Sequence, residues 1–517
     1  MVMFDYLFKR PMLLSGILCG IIAGISFYFE GLILPIMLAV SAIMGLFIYY
    51  KADRKLIFIS VLIFVMCLSC IHKQNYAKEI SYYGDNACDG EFIVISTDYK
   101  SDDYYVSTAQ VMKSDVLPEG TKMSVFYEPL KIEEGERISA KVRVKKISDR
   151  KNKQINYSNG IFLTGNLSEI EIIKDKEDFI LNNTYKLKSY IKNQLFANLG
   201  YNEASTLCAL LYGDRGYFTN EFYDCVKSAG VSHIMVVSGL HLSIMVLLTV
   251  TLFEKLFYNR FIKGFAVILT VMFLSLVCGF TMSIMRAGIT YLFMALGIMI
   301  DRKGPGENHL GTAVTIILIM NPYAIFNVAF RLSVLATFGI LGIAIPVSEY
   351  VENTRLMKNK VVKSIILTVI VTLSAMIMTL PETISVFGYV SVVSVITNLL
   401  ISSAVTVCIY AVIFALVFSA VFPFLADILY LPAMFITKYV NTVITYFGNL
   451  PFATIGMPEY TYYISVFMIF LIIWILLACK KRRNMLRLKE MQDKILKEGG
   501  KTLNGKSLCS CLAFPAL

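Results

Sequence analysis

The sequence is poor in charged residues and in histidine. Only 16% of its 517 residues are charged, 56% are hydrophobic, and four are histidines. Soluble globular proteins carry about 25% charged residues, so this composition excludes an ordinary soluble chain. His233 and His241 are eight residues apart with no third ligand in the pattern, which does not fit a zinc site. We therefore expect no bound metal and no cofactor.

Cysteine is scarce where a disulfide would have to form. The chain has eleven cysteines, mostly within apolar runs, where a buried thiol behaves as a small hydrophobe. Cys67 and Cys70 have the CxxC spacing but lie inside VLIFVMCLSCI, so we predict no metal there. The polar segment between residues 72 and 188 contains only Cys88, which excludes a disulfide within it.

Long apolar runs occupy most of the remaining sequence. Because about 17–25 apolar residues cross a bilayer core, we predict a polytopic α-helical membrane protein with about 12 spans. Glycine, proline and polar residues interrupt 385–450, which leaves re-entrant segments as an alternative there. The predicted spans are 12–29, 32–50, 56–71, 231–253, 264–281, 284–300, 309–325, 329–347, 364–381, 393–418, 424–447 and 461–479.

Basic residues give these spans a direction. Lysine and arginine cluster in alternate loops, and the stretch 480–506 alone has ten basic and three acidic residues. Such clusters face the cytoplasm in membrane proteins, so we place both termini on the cytoplasmic side. The net charge of +11 thus lies mostly beside the membrane, which fits anionic lipid better than a soluble nucleic-acid binder.

A polar segment between the third and fourth predicted spans alternates apolar and polar residues. The runs EFIVIST, TKMSVFYE, ERISAKVRV and GIFLTGNLSEIEII, separated by turn residues, predict a small extracytoplasmic β-barrel. The following segment has helical spacing and predicts amphipathic helices on the outer membrane surface. The predicted domains are 1–71 (N-terminal helices), 72–184 (β-barrel), 185–230 (surface helices), 231–480 (membrane core) and 481–517 (basic cytoplasmic tail).

One strand of the predicted barrel is strongly basic. The segment KVRVKKISDRKNK places seven basic residues around one aspartate, with Tyr157 and Phe162 close behind. A basic face with aromatic residues binds nucleic acid through phosphate neutralisation and stacking, although a solvated strand face is the alternative. The candidate DNA-binding residues are Lys141, Arg143, Lys145, Lys146, Arg150, Lys151 and Lys153.

The stretch 209–245 puts charge, two histidines and a helix break into apolar sequence. Ser238 and Gly239 interrupt a predicted span, and the backbone groups freed by such a break must face protein or water. A simple kink, with His241 bonded to a carbonyl, is the alternative. Ser238, His241 and Asp214 also have the residue types of a hydrolytic triad, which leaves an intramembrane hydrolase open.

Several charged residues lie near the predicted outer ends of spans. Asp214 and Arg215 precede the broken span, while Arg286 and Arg331 each begin an apolar run, and Glu382 lies toward the same face. An arginine at a helix centre costs about 2.5–3.5 kcal/mol on insertion scales. These side chains should therefore meet water or a carboxylate, unless each separately extends to the membrane surface.

The C-terminal GKTLNGKS matches the phosphate-loop pattern but lacks its context. A phosphate loop needs a strand before it and a helix after it, whereas a charged helical run precedes residue 500. We interpret the match as accidental and expect no ATP site and no enzymatic activity. A small-solute transporter remains a further alternative.

The segments ALLYGDRG, AGVSHIMVVSGLHLSIM, SIMRAGITYLFMALG, MNPYAIFNVAFRLSVLATFGIL and FGYVSVVSVITNLL, in this order, resemble the ComEC family of bacterial competence proteins. The resemblance implies a channel in the bacterial cytoplasmic membrane that moves single-stranded DNA inward, and an OB-like fold for the barrel. The residues at matching positions, which we take as channel or vestibule candidates, are Asp214, Arg215, His233, Ser238, Gly239, His241, Arg286, Asn321, Pro322, Arg331, Ser333 and Asn398.

The resemblance also implies partners. These are single-stranded DNA, a DNA receptor, a helicase-like motor on the cytoplasmic side, and the lipid bilayer. Many members of the family continue into a metallo-β-lactamase-like domain with an HxHxDH cluster, but no histidine follows His309. We therefore expect any nuclease to be a separate protein, and the sequence to supply the channel alone.

Overall fold

The computed structural model of the protein describes residues 10–28, 54–100, 104–128, 132, 134–173, 179–235, 237–256, 259–302, 304–352, 359–458, 460–469, 471–472 and 475. Within these residues, eight helices are long and apolar enough to cross a membrane, and a small β-barrel closes on itself. The chain is thus a helical membrane protein that carries a barrel. The predicted span 32–50 and the tail 481–517 lie outside the described residues.

Within the described residues, two helices precede the barrel. Helix α1 spans Pro11–Tyr28 and helix α2 spans Arg54–Tyr82. We predicted the barrel domain from residue 72, but α2 continues past it. The stretch after residue 72 contains neither proline nor glycine before Gly84, so nothing in it breaks a helix. The helix therefore extends beyond its apolar section and leads directly into the barrel.

The barrel has five strands in the closed order β1-β2-β3-β5-β4. All neighbouring strands are antiparallel except β3 and β5, which are parallel. One helix, α3, lies between β4 and β5, the last two barrel strands along the chain. The elements are β1 (Ala87–Lys100), β2 (Tyr105–Ser114), β3 (Lys122–Tyr127), β4 (Arg137–Lys146), α3 (Arg150–Ser158) and β5 (Ile161–Ile173).

Strand β4 shows why the sequence folds this way. Ala140, Val142 and Val144 point into the barrel and are buried, whereas Lys141 and Arg143 between them are exposed. Successive side chains of a strand point to opposite faces, so the period-two pattern fills the interior and leaves the basic residues outside. The predicted barrel is confirmed, and its basic residues lie on the outer face of β4.

Helices and one short two-stranded sheet, β6 with β7, form the rest of the described chain. The helix α11 continues through a π-helical turn, Ile340–Ala344, into α12. The elements are α4 (Phe179–Asn198), α5 (Tyr201–Tyr212), α6 (Asn220–Ser228), α7 (Gly239–Leu256), α8 (Arg260–Val277), α9 (Met282–Met299), α10 (Gly306–Met320), α11 (Val328–Gly339), α12 (Ile345–Val351), α13 (Lys360–Phe387), β6 (Tyr389–Ser391), α14 (Ser394–Val421), α15 (Ala426–Gly448), β7 (Thr454–Gly456) and α16 (Tyr460–Ile469).

Helix α5 is buried, in contrast to the surface helix that we predicted for this segment. Eight of its twelve residues are buried, and they share one apolar core with α14 and α15. The small side chains of Ala204, Ser205 and Cys208 allow this close packing. Thr206 also donates a 2.8 Å hydrogen bond to the side-chain oxygen of Asn441 on α15.

The barrel is joined to the membrane helices by the segment between α10 and α11. Asn321 donates from Nδ2 to the carbonyl of Ser158 at 2.9 Å, and Asn327 donates to Oδ1 of Asn159 at the same distance. Tyr323 is buried among the barrel's own core residues, with its ring 5.3 Å from that of Tyr157. The barrel therefore stands on the ends of α10 and α11.

Helices α1 and α10 cross at a pair of glycines. A Cβ atom on Gly311 would lie 2.2 Å from the backbone oxygen of Met12, and one on Gly16 would lie 3.0 Å from that of Gly311. Ser15 and Thr315 share a buried 3.1 Å hydrogen bond beside them. Small residues at such a crossing let two backbones touch, which is how helices associate where lipid competes for apolar surface.

We expect Gly311→Ala to lower the free energy of unfolding by about 1–3 kcal/mol, because the added methyl group must push the two backbones apart. Thermal unfolding of the purified protein in detergent measures this change. Gly24→Ala is the matched control on α1, since a Cβ atom there meets nothing within 4 Å. Equal unfolding temperatures for the two variants would contradict the close crossing.

Candidate functional site

The helix break that the sequence predicts lies immediately before α7. Residues 231–235 form turns, 237–238 are irregular, and the helix begins only at Gly239, eight residues after the predicted start of this span. Ser238 contributes to the break, because its Oγ accepts a hydrogen bond from the backbone N–H of Leu240 at 3.3 Å. A serine oxygen that bonds a nearby N–H competes with helical hydrogen bonding. The break is an unwound segment and not a simple kink.

His241 lies in the first turn of α7 and is 5% exposed. Its Nδ1 accepts from the backbone N–H of Ser238 at 3.3 Å. Its Nε2 is buried without a hydrogen-bond partner among the described residues. Among the described residues, His241 is therefore not bonded to a carbonyl, which was the alternative to a functional role. Its Nε2 atom makes no hydrogen bond to them.

Arg286 on α9 is buried against the start of α7. Its Nε donates to Oγ of Ser333 on α11 at 3.1 Å, and the side chain is 7% exposed. Its Nη2 lies 2.7 Å from where a Cβ atom on Gly239 would stand. No residue with a side chain fits at 239 while the guanidinium keeps this position. The structure thus brings together three of the predicted residues.

Arg331, two residues before Ser333 on α11, forms an ion pair with Glu382 on α13. The distance from Nη2 to Oε1 is 2.7 Å, and the glutamate side chain is 12% exposed. Each charge loses favourable hydration free energy when it leaves water. The attraction between the carboxylate and the guanidinium offsets part of this loss. The sequence predicts both residues toward the same face, but it gives no indication that they form a pair.

The ends of four helices meet at these contacts. Gly239 begins α7, Arg286 and Ser333 lie in the first turns of α9 and α11, and Glu382 lies in the last turns of α13. Asn327 links this end to the barrel, since it caps α11 by accepting from the N–H of Phe330 and also binds Asn159. The polar cluster therefore lies at the barrel end of the helices.

Two further hydroxyl groups extend the cluster along α7 and α9. They are not among the channel candidates predicted from the sequence. Tyr291 donates to Oγ of Ser243 at 2.6 Å, and Ser243 donates to the carbonyl of Gly239 at 2.6 Å. The sequence could have indicated Ser243 by its spacing, because it follows Gly239 by four residues and so lies on the same helix face. Asn327 was also missed, although asparagine before an apolar run is a typical helix cap.

The other predicted channel residues are not bonded to this cluster within the described chain. Oδ1 of Asp214 accepts from the N–H of Gly216 in its own turn, and Arg215 lies 5.7 Å from the ring centre of Tyr223. His233 is exposed in the turn segment before α7. Asn398 is buried in the first turns of α14, and its Oδ1 has no hydrogen-bond partner among the residues that the structure describes.

The geometry gives little support to a triad of Ser238, His241 and Asp214. The Ser238 Oγ to His241 Nδ1 distance is 3.4 Å, longer than an ordinary hydroxyl hydrogen bond. The carboxylate that would orient the imidazole is used in the turn at Gly216. Within the described residues, no third group orients His241.

The basic residues of the barrel separate into different environments. Lys141 pairs with Glu169 at 2.5 Å, and this hydrogen bond raises the pKa of Lys141, while Lys146 lies 3.7 Å from Asp85. Arg143 and Lys145 are exposed on β4 without an ion pair among the described residues. Lys153 lies on α3, near the ring of Tyr157. The side chains of Arg150 and Lys151 are outside what the structure describes.

The aromatic residues that we expected beside the basic face are not available for stacking. Tyr157 is 3% exposed and Phe162 is 7% exposed, and their ring centres lie 4.8 Å apart in the barrel core. That prediction was wrong, because alternation alone does not show which face of β5 and which side of α3 point inward. Any nucleic acid on this face would be held by charge.

Comparison with known proteins agrees with this architecture. A family model described as competence protein matches residues 210–482, which include the whole polar cluster. ComE operon protein 3 of Bacillus subtilis (strain 168) is 26% identical over 259 residues, which cover 49% of this chain and 31% of that protein.

Two further relatives come from mycoplasmas. The uncharacterized protein MG316 of Mycoplasma genitalium is 34% identical over 155 residues, covering 30% of this chain and 39% of that protein. Its Mycoplasma pneumoniae homolog is 33% identical over 124 residues, covering 24% and 32%. The chain thus spans about a third of the length of the curated relatives it matches. No solved structure shows significant similarity. With more than half of its length matched by the family model, the chain belongs to the competence protein family.

Proposed function

We propose that this protein is a channel through which single-stranded transforming DNA moves inward across the bacterial cytoplasmic membrane. The observation that carries the proposal is the buried guanidinium of Arg286 at the barrel end of the helices. DNA carries one negative phosphate per nucleotide, so its path needs polar or positive lining. Membership of the competence protein family supports the same conclusion.

The charge balance of the cluster favours a passing anion. Glu382 neutralises Arg331, whereas Arg286 has only the neutral hydroxyl of Ser333 as a hydrogen-bond partner within the described chain. An ionisable residue inside a membrane protein typically marks a substrate or ion pathway. One uncompensated positive charge attracts each phosphate in turn and releases it, which conduction requires.

The barrel is proposed to be an OB-like domain that holds DNA outside the membrane. Its order contains β4-β1-β2-β3, the arrangement of a Greek key, and OB-folds are five-stranded Greek-key barrels. The exposed Arg143 and Lys145 on β4 would neutralise phosphates. Since the aromatic residues are buried, this contact would recognise the charge of the phosphates and not the identity of the bases.

The topology that goes with this function has about 12 spans, with both termini cytoplasmic and the barrel outside. A DNA receptor would deliver the strand, and a helicase-like motor in the cytoplasm would supply the energy. Strand degradation would belong to a separate nuclease. The chain itself would act as a channel without enzymatic activity.

A second candidate function is intramembrane hydrolysis by Ser238 and His241. The 3.4 Å contact between Ser238 Oγ and His241 Nδ1 is the observation in its favour. The missing third residue counts against it, since a base needs an orienting partner.

Arg286→Gln should reduce uptake of labelled DNA by roughly tenfold or more, since each 1.4 kcal/mol in a transfer barrier is tenfold in rate. The measurement uses a deletion strain that carries the variant at the parent protein level. Arg260→Gln is the matched control, because Arg260 is exposed and pairs loosely with Asp301 at 3.9 Å. Gly239→Ala should impair uptake in the same way by displacing the guanidinium. Normal uptake in both Arg286→Gln and Gly239→Ala would overturn the role of the cluster.

Ser238→Ala separates the channel from the hydrolase. We expect DNA uptake to persist, with a loss of stability of about 1 kcal/mol from the missing contact to the Leu240 N–H. Ser238→Gly, which suits an unwound segment, should behave like the parent. Abolished turnover of a membrane substrate in both variants, with normal DNA uptake, would establish the enzyme instead.

The outer face of β4 can be tested through salt dependence. Replacing both Arg143 and Lys145 with glutamine should lower the slope of log affinity against log salt for a fluorescent oligothymidylate by about 1.4, or 0.7 for each lost phosphate contact. Lys141→Gln should change the slope less, since that charge is already paired with Glu169. Equal slopes for the parent and the double variant would exclude this face.

A further inference from the structure

The outer face of the barrel carries two exposed aromatic side chains, besides the two buried ones described above. Phe126 on β3 is 36% exposed, and Tyr104, immediately before β2, is 43% exposed. Their ring centres lie 6.3 Å apart. The other outward positions of β3, Lys122 and Ser124, are polar. A phenylalanine at the next outward position therefore departs from the pattern that a solvated strand face favours.

The strand register places Phe126 in line with a basic residue. Phe126 pairs with Asn166 on β5, and Asn166 pairs in turn with Arg143 on β4. Residues paired across neighbouring strands lie on the same face of a sheet, so all three side chains point outward. With about 4.8 Å for each step between strands, Phe126 and Arg143 lie about 10 Å apart along the sheet. The adjoining row begins with Lys145 on β4 and continues to Thr164 on β5.

This order of side chains matches the two parts of a nucleotide. Arg143 and Lys145 attract phosphate, and neither forms an ion pair among the described residues. The aromatic rings two strands away offer a flat surface on which a base can stack. Between them, the amide of Asn166 can both donate to and accept from a sugar or a base edge. A nucleotide that lies across β5 thus finds a suitable group at each end.

The face also leads toward the membrane helices. Along β3, Lys122 is exposed four residues before Phe126, which is about 13 Å. Lys122 pairs with Ile161, the first residue of β5. Two residues before Ile161 lies Asn159, which accepts the hydrogen bond from Asn327 at the start of α11. A strand that follows β3 from the rings to Lys122 therefore arrives at the loop that contacts α11.

We propose that the outer face of β3, β5 and β4 is a stacking site for single-stranded DNA, where Phe126 and Tyr104 hold unpaired bases while Arg143 and Lys145 hold phosphates. The inference rests on the proposed role of the barrel in holding DNA, and it adds the part that selects single strands. Charge alone does not select them, because a duplex carries more phosphate per unit length. A duplex keeps its bases paired inside the helix, so it has none to place on the rings. Stacking tolerates every base, since each has an aromatic face.

The test measures how tightly the full-length protein in detergent binds a fluorescent oligothymidylate, from fluorescence anisotropy. The ring variant replaces Phe126 and Tyr104 with leucine, which keeps an apolar side chain but removes the aromatic faces. The control replaces Tyr82 and Phe179 with leucine, since these rings are 83% and 81% exposed and lie outside the barrel strands. An abasic oligonucleotide and a duplex of the same length are the further probes. Thermal unfolding shows that each variant is folded.

We expect the parent and the control variant to bind oligothymidylate more tightly than the abasic strand. The ring variant should bind oligothymidylate roughly tenfold more weakly for each stacked base that is lost. The slope of log affinity against log salt should stay the same, because no phosphate contact is removed. Affinity for the abasic strand and for the duplex should also stay the same, which a general loss of barrel structure would not produce.

Equal affinity of the folded ring variant and the parent for oligothymidylate would overturn this inference. So would equal affinity of the parent for the abasic strand, which would assign the face to phosphate alone. Dissociation of a parent dimer on replacement of the rings, with unchanged DNA affinity, would assign them to a second copy of the chain. None of these results touches the salt-slope test of Arg143 and Lys145. A parent that binds no oligothymidylate would instead overturn the role of the barrel in holding DNA as well.

Discussion

The buried guanidinium of Arg286 is the constraint on which the barrel end of the helices depends. Its side chain is only 7% exposed, so the protein must supply the surroundings of the charge. Ser333 provides an acceptor, and Gly239 provides room because it has no side chain. Helix α7 can approach α9 this closely only with glycine at that point. The chain before it is unwound, which leaves polar backbone and His241 beside the same helix ends.

The barrel is held to that end by side-chain amides and one tyrosine. Asn321 and Asn327 each use one amide group twice, to cap a helix or turn and to bind the barrel loop at Ser158 and Asn159. Tyr323 packs in the core of the barrel, so a residue between two membrane helices completes the fold of the barrel. A displacement of α11 would therefore also displace the barrel loop that it binds. The polar cluster and the barrel are thus connected through α11 and the segment before it.

Local patterns in the sequence were sufficient for the elements but not for their contacts. Period-two alternation identified β4 because one face is buried, and Ser238 with Gly239 marked the break because both disfavour a helix. Burial of α5 and of Tyr323 depends on residues far away in the chain, such as Asn441 and Tyr157, which no local pattern reports. The site was predicted as a set of residues, while its actual pairs, Arg331 with Glu382 and Arg286 with Ser333, required the fold.

The two arginines at the cluster differ in what balances them, and this difference determines what the cluster can do. Had both been paired with carboxylates, the barrel end would be neutral and would offer nothing to an anion. Had neither been paired, two like charges at the same helix ends would raise the free energy of the folded state. Glu382 stabilises one arginine and leaves the other with a single neutral acceptor. Among the described residues, one positive charge is then held in a fixed position without a carboxylate partner, which is the arrangement that the proposed passage of an anion requires.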